Sequence, residues 1–579
     1  MNGVARLPGQ GDGTSLPRGA ASPLYPSPSR PLRVVLLAGA KVPGWINGFL
    51  RLAGDTPWLD VRVFLVHDAR ASAGVPGRTA LRLALALERR RARSRERFLE
   101  PLSQDGRTLP GESGSSRDEV LAGLAALRPE LVVAAVDGEW IEDAAATATG
   151  GCWCLEPSLR RELDLLSSLL PPMLQPGAAT SVALQLQSRK DGWRRLSGGR
   201  MATCRAALDG QLKRACDKLP SLMLRALLAH ARERTSSCGG DRGVRRLRLA
   251  PLAPTTAPLA VGRAFLAAIG VRMHERWQRV RRRQGRWSVL VRRQTRSLDP
   301  AHPDAAGCIE LAAPDGWYWA DPCVIGGPED ELVYVEECPD DVNAGVIACL
   351  RIDAGGTAER IGVALRRPFH LSFPQLFDWR GERFMTVESG QDRRVTLYRR
   401  GATALDWQPY SELLRGWPVV DPVLHFHDGH WYLFANVAEG GASSCDSLFL
   451  FVAEALTGPY RPHPANPIVD DAGRARMAGR LFVDRGRLVR PSQDCVEAYG
   501  AAVVFHEILE LGPERYRERR LGRLDAATAG ARDGCHTYSR SGCMETIDVR
   551  GFAYGGTHRA EPAAGAGGLG ASAGAAAGG

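Results

Sequence analysis

Lysine is almost missing from this sequence: Lys41, Lys190, Lys213 and Lys218 are all there is, although the formal charge is +11. The positive charge is therefore nearly all arginine, a skew that follows codon composition more readily than nucleic-acid recognition, and no nucleic-acid-binding motif accompanies it. No uninterrupted apolar run of about 18 residues is present, so no membrane-crossing helix is expected. The first thirty residues carry Gly9, Gly11, Pro17, Pro23, Pro26 and Pro28 but no hydrophobic stretch of the secretory kind. A cytoplasmic protein is expected, with peripheral membrane contact left open. The 13 cysteines are odd in number and scattered, unlike the disulfide framework of small secreted domains. Cys152 and Cys154 are the closest pair, and no second Cys/His pair stands beside them to complete a zinc site. Neither a metal nor a cofactor is assigned.

Two arginine runs stand out, Arg89 to Arg97 (RRRARSRER) and Arg276 to Arg293 (RWQRVRRRQGRWSVLVRR). The first reads as the solvated end of a helix beginning near Thr79, and the second as a segment able to touch an anionic surface. From Pro31 the pattern is strand (Val34 to Leu37), Pro43-Gly44 turn, helical spacing through Ile46, Phe49, Leu50 and Leu52, then a second apolar run at Val61 to Val66. That is a βαβ unit. Helices at Asp118 to Leu127 and a strand at Glu130 to Val136 extend it, so an α/β domain with a parallel sheet is expected over 31–200, followed by a helical linker over 201–285. The ends, 1–30 and the Ala/Gly-rich 556–579, are expected to be disordered.

After Trp287 the rhythm becomes short apolar runs separated by Gly, Pro and Asp, among them Leu332 to Glu336, Arg383 to Glu388, His430 to Ala435 and Leu448 to Ala453. An internal recurrence selects the architecture. Trp319-Ala320-Asp321-Pro322, Leu371-Ser372-Phe373-Pro374 and Val420-Asp421-Pro422 each precede an apolar run, a Gly or Asp-Gly turn and an aromatic-rich strand, and Ala478-Gly479-Arg480-Leu481-Phe482 begins the pattern again. A unit that recurs every 40 to 60 residues or so in this way is a propeller blade. A propeller is expected over 286–555.

Innermost strands of a propeller converge, so carboxylates far apart in the chain meet in one central pocket. Glycoside chemistry uses two carboxyl groups roughly 5 to 9.5 Å apart. Asp321 and Asp421 are the best pair; the same Asp-Pro context also suits turn-forming aspartates that bond their own backbone. Glu336, Glu337 and Glu388 end the strands that follow and compete for the role of acid, with Glu337 placed beside the two aspartates in the catalytic set. Trp319, Glu336, His370, Glu388, Arg490, Gln493 and Asp494 form the substrate-binding set, with Arg490 and Asp494 drawn as an ion pair. Trp317, Tyr334, Trp431 and Tyr499 offer faces for a sugar ring, a role that competes with packing between blades.

The segments WADPCVI, RPFHLSFPQLF, MTVES, VVDPVLHFHDGHWYLF, LTGPYRPHPANPIV, ARMAGRLF, GRLVRPSQD, YGAAV and HTYS, in this order, resemble the propeller domain of the glucosamine inositolphosphorylceramide transferase family and its bacterial stand-alone relatives. The resemblance implies a five-bladed β-propeller of the glycoside hydrolase family 43 kind, with Asp321 at the position of the base or nucleophile and Asp421 at that of the orienting aspartate. The plant enzymes carry their sugar-transferring domain after the propeller, where this chain has its Ala/Gly tail, so transferase activity is not implied. In the N-terminal half, Cys154-Leu155-Glu156-Pro157-Ser158-Leu159 is similar to the Asn-x-His-Pro-Ser-Leu segment of formyltransferases, with a carboxylate where an imidazole would stand. Three functions follow as expectations: a carbohydrate-active protein working in the propeller pocket, a non-catalytic glycan- or nucleotide-sugar-binding scaffold, and a formyl- or acyl-transferring enzyme on an amino sugar.

Overall fold

The computed structural model describes residues 21–551 except 68–78, 93–96, 104–112, 189–191, 235–242, 251–257, 281–285, 294–297, 327–330 and positions 312, 341, 343, 354, 531, 532 and 543. The two arginine runs and the Ala/Gly tail thus lie partly or wholly outside the described residues. Among the described residues, no helix is long and apolar enough to cross a membrane, and no cysteine is disulfide-bonded.

Leu32–Ala38 and Leu59–Val66 pair in parallel, Val34 opposite Val61 and Leu36 opposite Val63, and both are buried along most of their length. Helices cover both faces of such a sheet, which is why these strands read as near-continuous Val/Leu runs. The crossover is α1 (Gly44–Gly54); α2 (Thr79–Ala92), α3 (Arg117–Leu127), α4 (Ile141–Ala146), α5 (Pro157–Arg160), α6 (Glu162–Met173), α7 (Leu208–Arg234) and α8 (Pro258–Val280) follow. Helix α3 begins where a capping box sets it: the Ser116 hydroxyl accepts the Glu119 N–H, and the Glu119 carboxylate returns to the Ser116 N–H. The sheet order is Ser113–Gly114, Leu59–Val66, Leu32–Ala38, Leu131–Ala134, Cys152–Leu155, Val244–Ala250, Thr180–Ser188, Gly192–Met201, and the last two strands are antiparallel to their neighbours. The segment 201–285, read as a helical linker, holds α7 and α8 but also Val244–Ala250. That strand lies inside the sheet, pairing in parallel with Cys152–Leu155.

The second half is a propeller of five blades. Blade one is Trp317–Leu365, blade two Ser372–Arg415, blade three Val419–Asp470 and blade four Phe482–Asp525, each a sheet of antiparallel strands taken in chain order. Blade five closes the ring from both ends of the domain. Trp287–Arg293 and Ile309–Leu311 pair with Met544–Arg550 and Tyr538–Ser541, in the order Ile309–Leu311, Trp287–Arg293, Met544–Arg550, Tyr538–Ser541. Closure in this way protects strand edges that an open sheet would leave unpaired.

The two halves share a core. Helix α7 lies against blade three, and its Lys218 and Arg225 are buried with Asp446, Ser447, Asp470 and Glu439: Lys218 Nζ is 2.5 Å from Asp470 Oδ1, and Arg225 Nη2 is 2.7 Å from Glu439 Oε2. Buried charges persist only when paired, so this network holds the halves in one arrangement. Part of the N-terminus expected to be disordered belongs here. Leu24 and Tyr25 are buried, and the Tyr25 hydroxyl donates to Glu439 Oε1 at 2.7 Å, so burial and a charged partner offset the ordering cost of this Pro-rich stretch.

Candidate functional site

The first three blades open on one local device. Pairing between the first and second strands skips two residues between Ala320 and Cys323, between Ser372 and Gln375, and between Val420 and Val423. The residue before each proline takes a positive φ: 50° at Asp321, 49° at Phe373 and 48° at Asp421. Bulges re-aim side chains, and a non-glycine residue in this region costs about 1–2 kcal/mol, so the repeat of the distortion marks a constrained position. The N–H freed from the ladder is bonded each time by a carboxylate of the preceding blade. Asp321 donates to Asp548 Oδ2 (3.0 Å), Phe373 to Asp321 Oδ2 (3.1 Å) and Asp421 to Glu388 Oε2 (3.3 Å). Acidic groups distant in sequence are thereby stitched around one axis.

The second strands repeat as well. Glu336 stands opposite Ala320, Glu388 opposite Ser372 and Asn436 opposite Val420, one register for all three blades. Glu336 and Glu388 consequently face the hub. Glu337, one residue on, points to the other side of the strand, where Arg360 binds it through two contacts (2.7 and 2.6 Å) and Trp319 Nε1 donates to it at 3.2 Å. Glu337 therefore does not join the two aspartates.

Electrostatics sort the hub carboxyls. Burial, then the charges of neighbouring acids, raises Asp321 to about 6 and Glu336 to about 8. Burial likewise holds Glu388 well above the usual carboxyl range, helped by the charge of Asp421 and a carboxyl–carboxyl hydrogen bond with it. Asp421 is ion-paired to Arg476, with Nε 2.6 Å from Oδ2, and accepts Gln493 Nε2 at 3.0 Å. Asp321 Oδ1 accepts the Thr537 hydroxyl at 2.7 Å. His536 lies between two acids, Nδ1 2.5 Å from Asp548 Oδ2 and Nε2 3.5 Å from Asp321 Oδ1. Burial opposes its charge, but those carboxylates prevail and raise it to about 9. Trp287 stacks on His536 at 3.9 Å, and Tyr499 meets its edge at 5.3 Å while lying 4.7 Å from the Arg476 guanidinium.

The hub thus gathers Asp321, Asp421, Glu336, Glu388, His370 and Gln493 from the expected set. His370 Nε2 faces Glu336 Oε1 at 3.5 Å, while its Nδ1 accepts the Gly345 N–H at 2.9 Å. Trp319 is buried against Glu337 rather than offered to a ligand. Arg490 binds Glu518 (Nε to Oε2 2.8 Å), and Asp494 binds Arg523 (3.3 Å), so the expected Arg490–Asp494 pair does not form. Trp317 and Tyr499 are exposed, whereas Tyr334 and Trp431 are packed inside blades. Sequence reasoning missed Arg476, His536 and Asp548. His536 begins the HTYS segment, and Asp548 sits on the strand that pairs with it, a signal that only the closing blade makes legible.

Two clusters carry metal-ligand side chains among the described residues, Asp321/His536/Asp548 and Glu336/Cys338/His370. In the first, the imidazolium of His536 already supplies the positive charge. In the second, the Gly345 N–H fixes Nδ1 of neutral His370 as the acceptor, leaving the proton on Nε2 and no lone pair there for a metal. In the N-terminal domain, Cys154 lies in the parallel strand Cys152–Leu155, and Glu156 precedes α5 without capping it through its side chain, with Pro157 at the first helical position. A cavity of about 270 Å³ beside α1 and α7 is lined by Trp45, Arg89, Glu100, Asp209 and Lys213, and Glu156 does not reach it.

Residues 320–536 match the family model described as glucosamine inositolphosphorylceramide transferase 1, N-terminal. The propeller matches the N-terminal domain of these transferases. The chain is 33% identical over 203 residues to glucosamine inositolphosphorylceramide transferase 1 of Oryza sativa subsp. japonica, covering 34% of this chain and 27% of that protein. It is 33% identical over 205 residues to the Arabidopsis thaliana transferase of the same name, covering 35% and 27%. The chain therefore spans about a quarter of the length of the transferases it matches. Among solved structures, it is similar to a family 117 glycoside hydrolase from Zobellia galactanivorans (12% identity, TM-score 0.29, 46% of this chain and 90% of that one). A GH43 β-xylosidase/α-arabinofuranosidase from a compost microbial metagenome is also similar (14%, TM-score 0.29, 39% and 82%).

Proposed function

We propose that the hub of the propeller binds a glycosyl unit, as part of an oligosaccharide, a glycolipid headgroup or a nucleotide sugar. The observation that carries this reading is the gathering, in one cluster at the hub, of Asp321, Asp421, Glu336 and Glu388 from three blades. Burial raises Asp321 to about 6 and Glu336 to about 8 and pushes Glu388 well above the usual carboxyl range, so the two glutamates favour their protonated forms more than Asp321 does. Sugar hydroxyls need donors and acceptors together, and glycosyl chemistry needs one acid and one base. The match to a glucosamine inositolphosphorylceramide transferase domain supports a sugar ligand. In a chemical step, Glu336 or Glu388 would give the proton to the leaving oxygen, and Asp321 would act as base or nucleophile.

A non-catalytic scaffold is the second reading, favoured by the engagement of the aspartates. Asp321 accepts Thr537 and Phe373, and Asp421 accepts Arg476 and Gln493, so protein groups already occupy both. Thermal shift against nucleotide sugars and oligosaccharides, with release of reducing sugar or nucleoside diphosphate followed in parallel, decides between them. Binding with turnover that Glu388→Gln or Glu336→Gln abolishes supports catalysis; binding that survives in those variants without turnover supports the scaffold. If no sugar shifts the wild type, or Asp321→Asn and Asp421→Asn respond as it does, the hub is not the site. Formyl or acyl transfer by the N-terminal domain is the remaining alternative, and it would require a ligand to bind beside Glu156.

A further inference from the structure

Two neighbouring helices of the N-terminal domain are apolar on both faces. The inner faces are ordinary: Leu81, Ala84 and Leu85 of α2 and Val261, Ala264 and Ala268 of α8 are buried. On the outer faces α2 exposes Leu83 (59%) and Leu87 (41%), and α8 exposes Leu259 (84%), Leu266 (67%), Met273 (67%) and Trp277 (43%). The spacing makes each set a stripe. Leu83 and Leu87 are one turn apart; Leu259, Leu266 and Met273 recur every two turns, and Trp277 follows one turn later. The helices pack against each other, and Arg272 of α8 reaches Glu88 of α2 at 3.7 Å. The two stripes therefore lie on adjoining elements.

Among the described residues, the exposed charges on the two helices have one sign. Arg82, Arg90 and Arg91 on α2 and Arg263 and Arg276 on α8 are exposed. The single acid of α2, Glu88, is buried and accepts the Leu208 N–H. Helix α8 contains one acid, Glu275, against four arginines, and the chain continues from it into Arg281, Arg282 and Arg283. Aliphatic side chains and a tryptophan flanked by arginines suit the boundary between acyl chains and phosphate headgroups. A second copy of this face would set arginine against arginine, and a nucleic acid would leave the Leu/Met stripe without a partner.

We propose that the α2/α8 face docks the protein on a bilayer bearing anionic headgroups, with Leu87, Leu266 and Trp277 entering the interface and Arg263 and Arg276 meeting phosphate. This surface is separate from the propeller hub and does not depend on a sugar binding there. The test uses the full chain and vesicles of phosphatidylcholine with or without phosphatidylglycerol, read by co-sedimentation. Wild type sediments with the phosphatidylglycerol vesicles and scarcely with phosphatidylcholine alone. Leu87→Gln/Leu266→Gln/Trp277→Gln and Arg263→Gln/Arg276→Gln each lower partitioning about tenfold or more, with melting temperatures unchanged because all five residues are exposed. Should the triple variant melt lower, Trp277→Phe serves instead: brominated lipid quenches the fluorescence of wild type more than that of the variant. The proposal is overturned if wild type stays in the supernatant. It is also overturned if the apolar variant binds as wild type does while the arginine variant does not, which would indicate a polyanion. A fall in molar mass from dimer to monomer in the apolar variant, without vesicle binding by wild type, would assign the face to a second copy of the chain.

Discussion

Arg476, on the segment leading into blade four, closes on Asp421 of blade three with Nε 2.6 Å from Oδ2, and the same guanidinium lies 3.5 Å from Glu388 of blade two. One cation thus joins three blades at the hub. Arg476→Met would leave two carboxyls buried without it, and removing one partner of a buried pair costs about 3–5 kcal/mol. Denaturant unfolding should show a loss of that order, partly recovered in the Arg476→Met/Asp421→Asn double variant; purely additive losses would show that the pair is not coupled.

Burial, then the charge of Asp421, pushes Glu388 well above the usual carboxyl range and so favours its protonated form, which glutamine mimics. A glutamine carbonyl can accept the Asp421 N–H while its amide donates to the Asp421 carboxylate. Glu388→Gln is therefore expected to change stability by less than about 1 kcal/mol while altering ligand response at the hub. A large drop in melting temperature would mean that the group is ionised.

Stability should fall as pH rises from about 6 to 9. His536 is raised from 6.5 to about 9, so its contribution is complete below 6.5 and is lost as pH climbs through 9. Glu336 is raised from 4.5 to about 8, so folding favours its neutral form and weakens as pH rises across that interval. The His536 shift alone corresponds to at most about 3–4 kcal/mol. Melting curves of wild type and His536→Gln test this: the variant should melt lower at pH 6 and show a smaller fall between pH 6 and 9.

Among the described cysteines, Cys445 should be the most readily alkylated. A hydrogen bond from Cys495 and the Arg476 guanidinium, 3.8 Å away, bring it down to about 6 against the opposing effect of burial. Limited iodoacetamide treatment at pH 7 followed by peptide mass mapping should find Cys445 modified before the other described cysteines, and more slowly in Arg476→Met.

Lys218→Met should couple the halves' fates. It leaves Asp470 with Arg225 as its remaining cationic partner and Asp446 with none of its present ion pairing, so a loss of about 3–5 kcal/mol is expected. The variant should become susceptible to proteolysis between α8 and Trp287; unchanged digestion would argue that the interface is held by its apolar contacts alone.

How far the sequence could be read depends on the range of the interaction. The βαβ start and the recurring segment that ends at Pro322, Pro374 and Pro422 follow from alternation and proline stereochemistry, both local and both readable in order along the chain. The sequence reading places Glu337 with the aspartates and Glu336 in the binding set, whereas the fold turns Glu336 to the hub, because a shift of one residue in register reverses the face of a strand. Arg490 was matched to the nearby Asp494, whereas the fold pairs it with Glu518 on the outermost strand of the same blade. His536 and Asp548 escaped notice because their blade is assembled from both ends of the propeller.

By itself the sequence determined an α/β unit, a run of blades and the two Asp-Pro aspartates, Asp321 and Asp421, with Glu336 and Glu388 among several candidate acids. The tertiary structure alone decided which of them face one another and which keep a proton. Those outcomes arise from desolvation and from charges brought together across blades, and neither exists until the ring has closed.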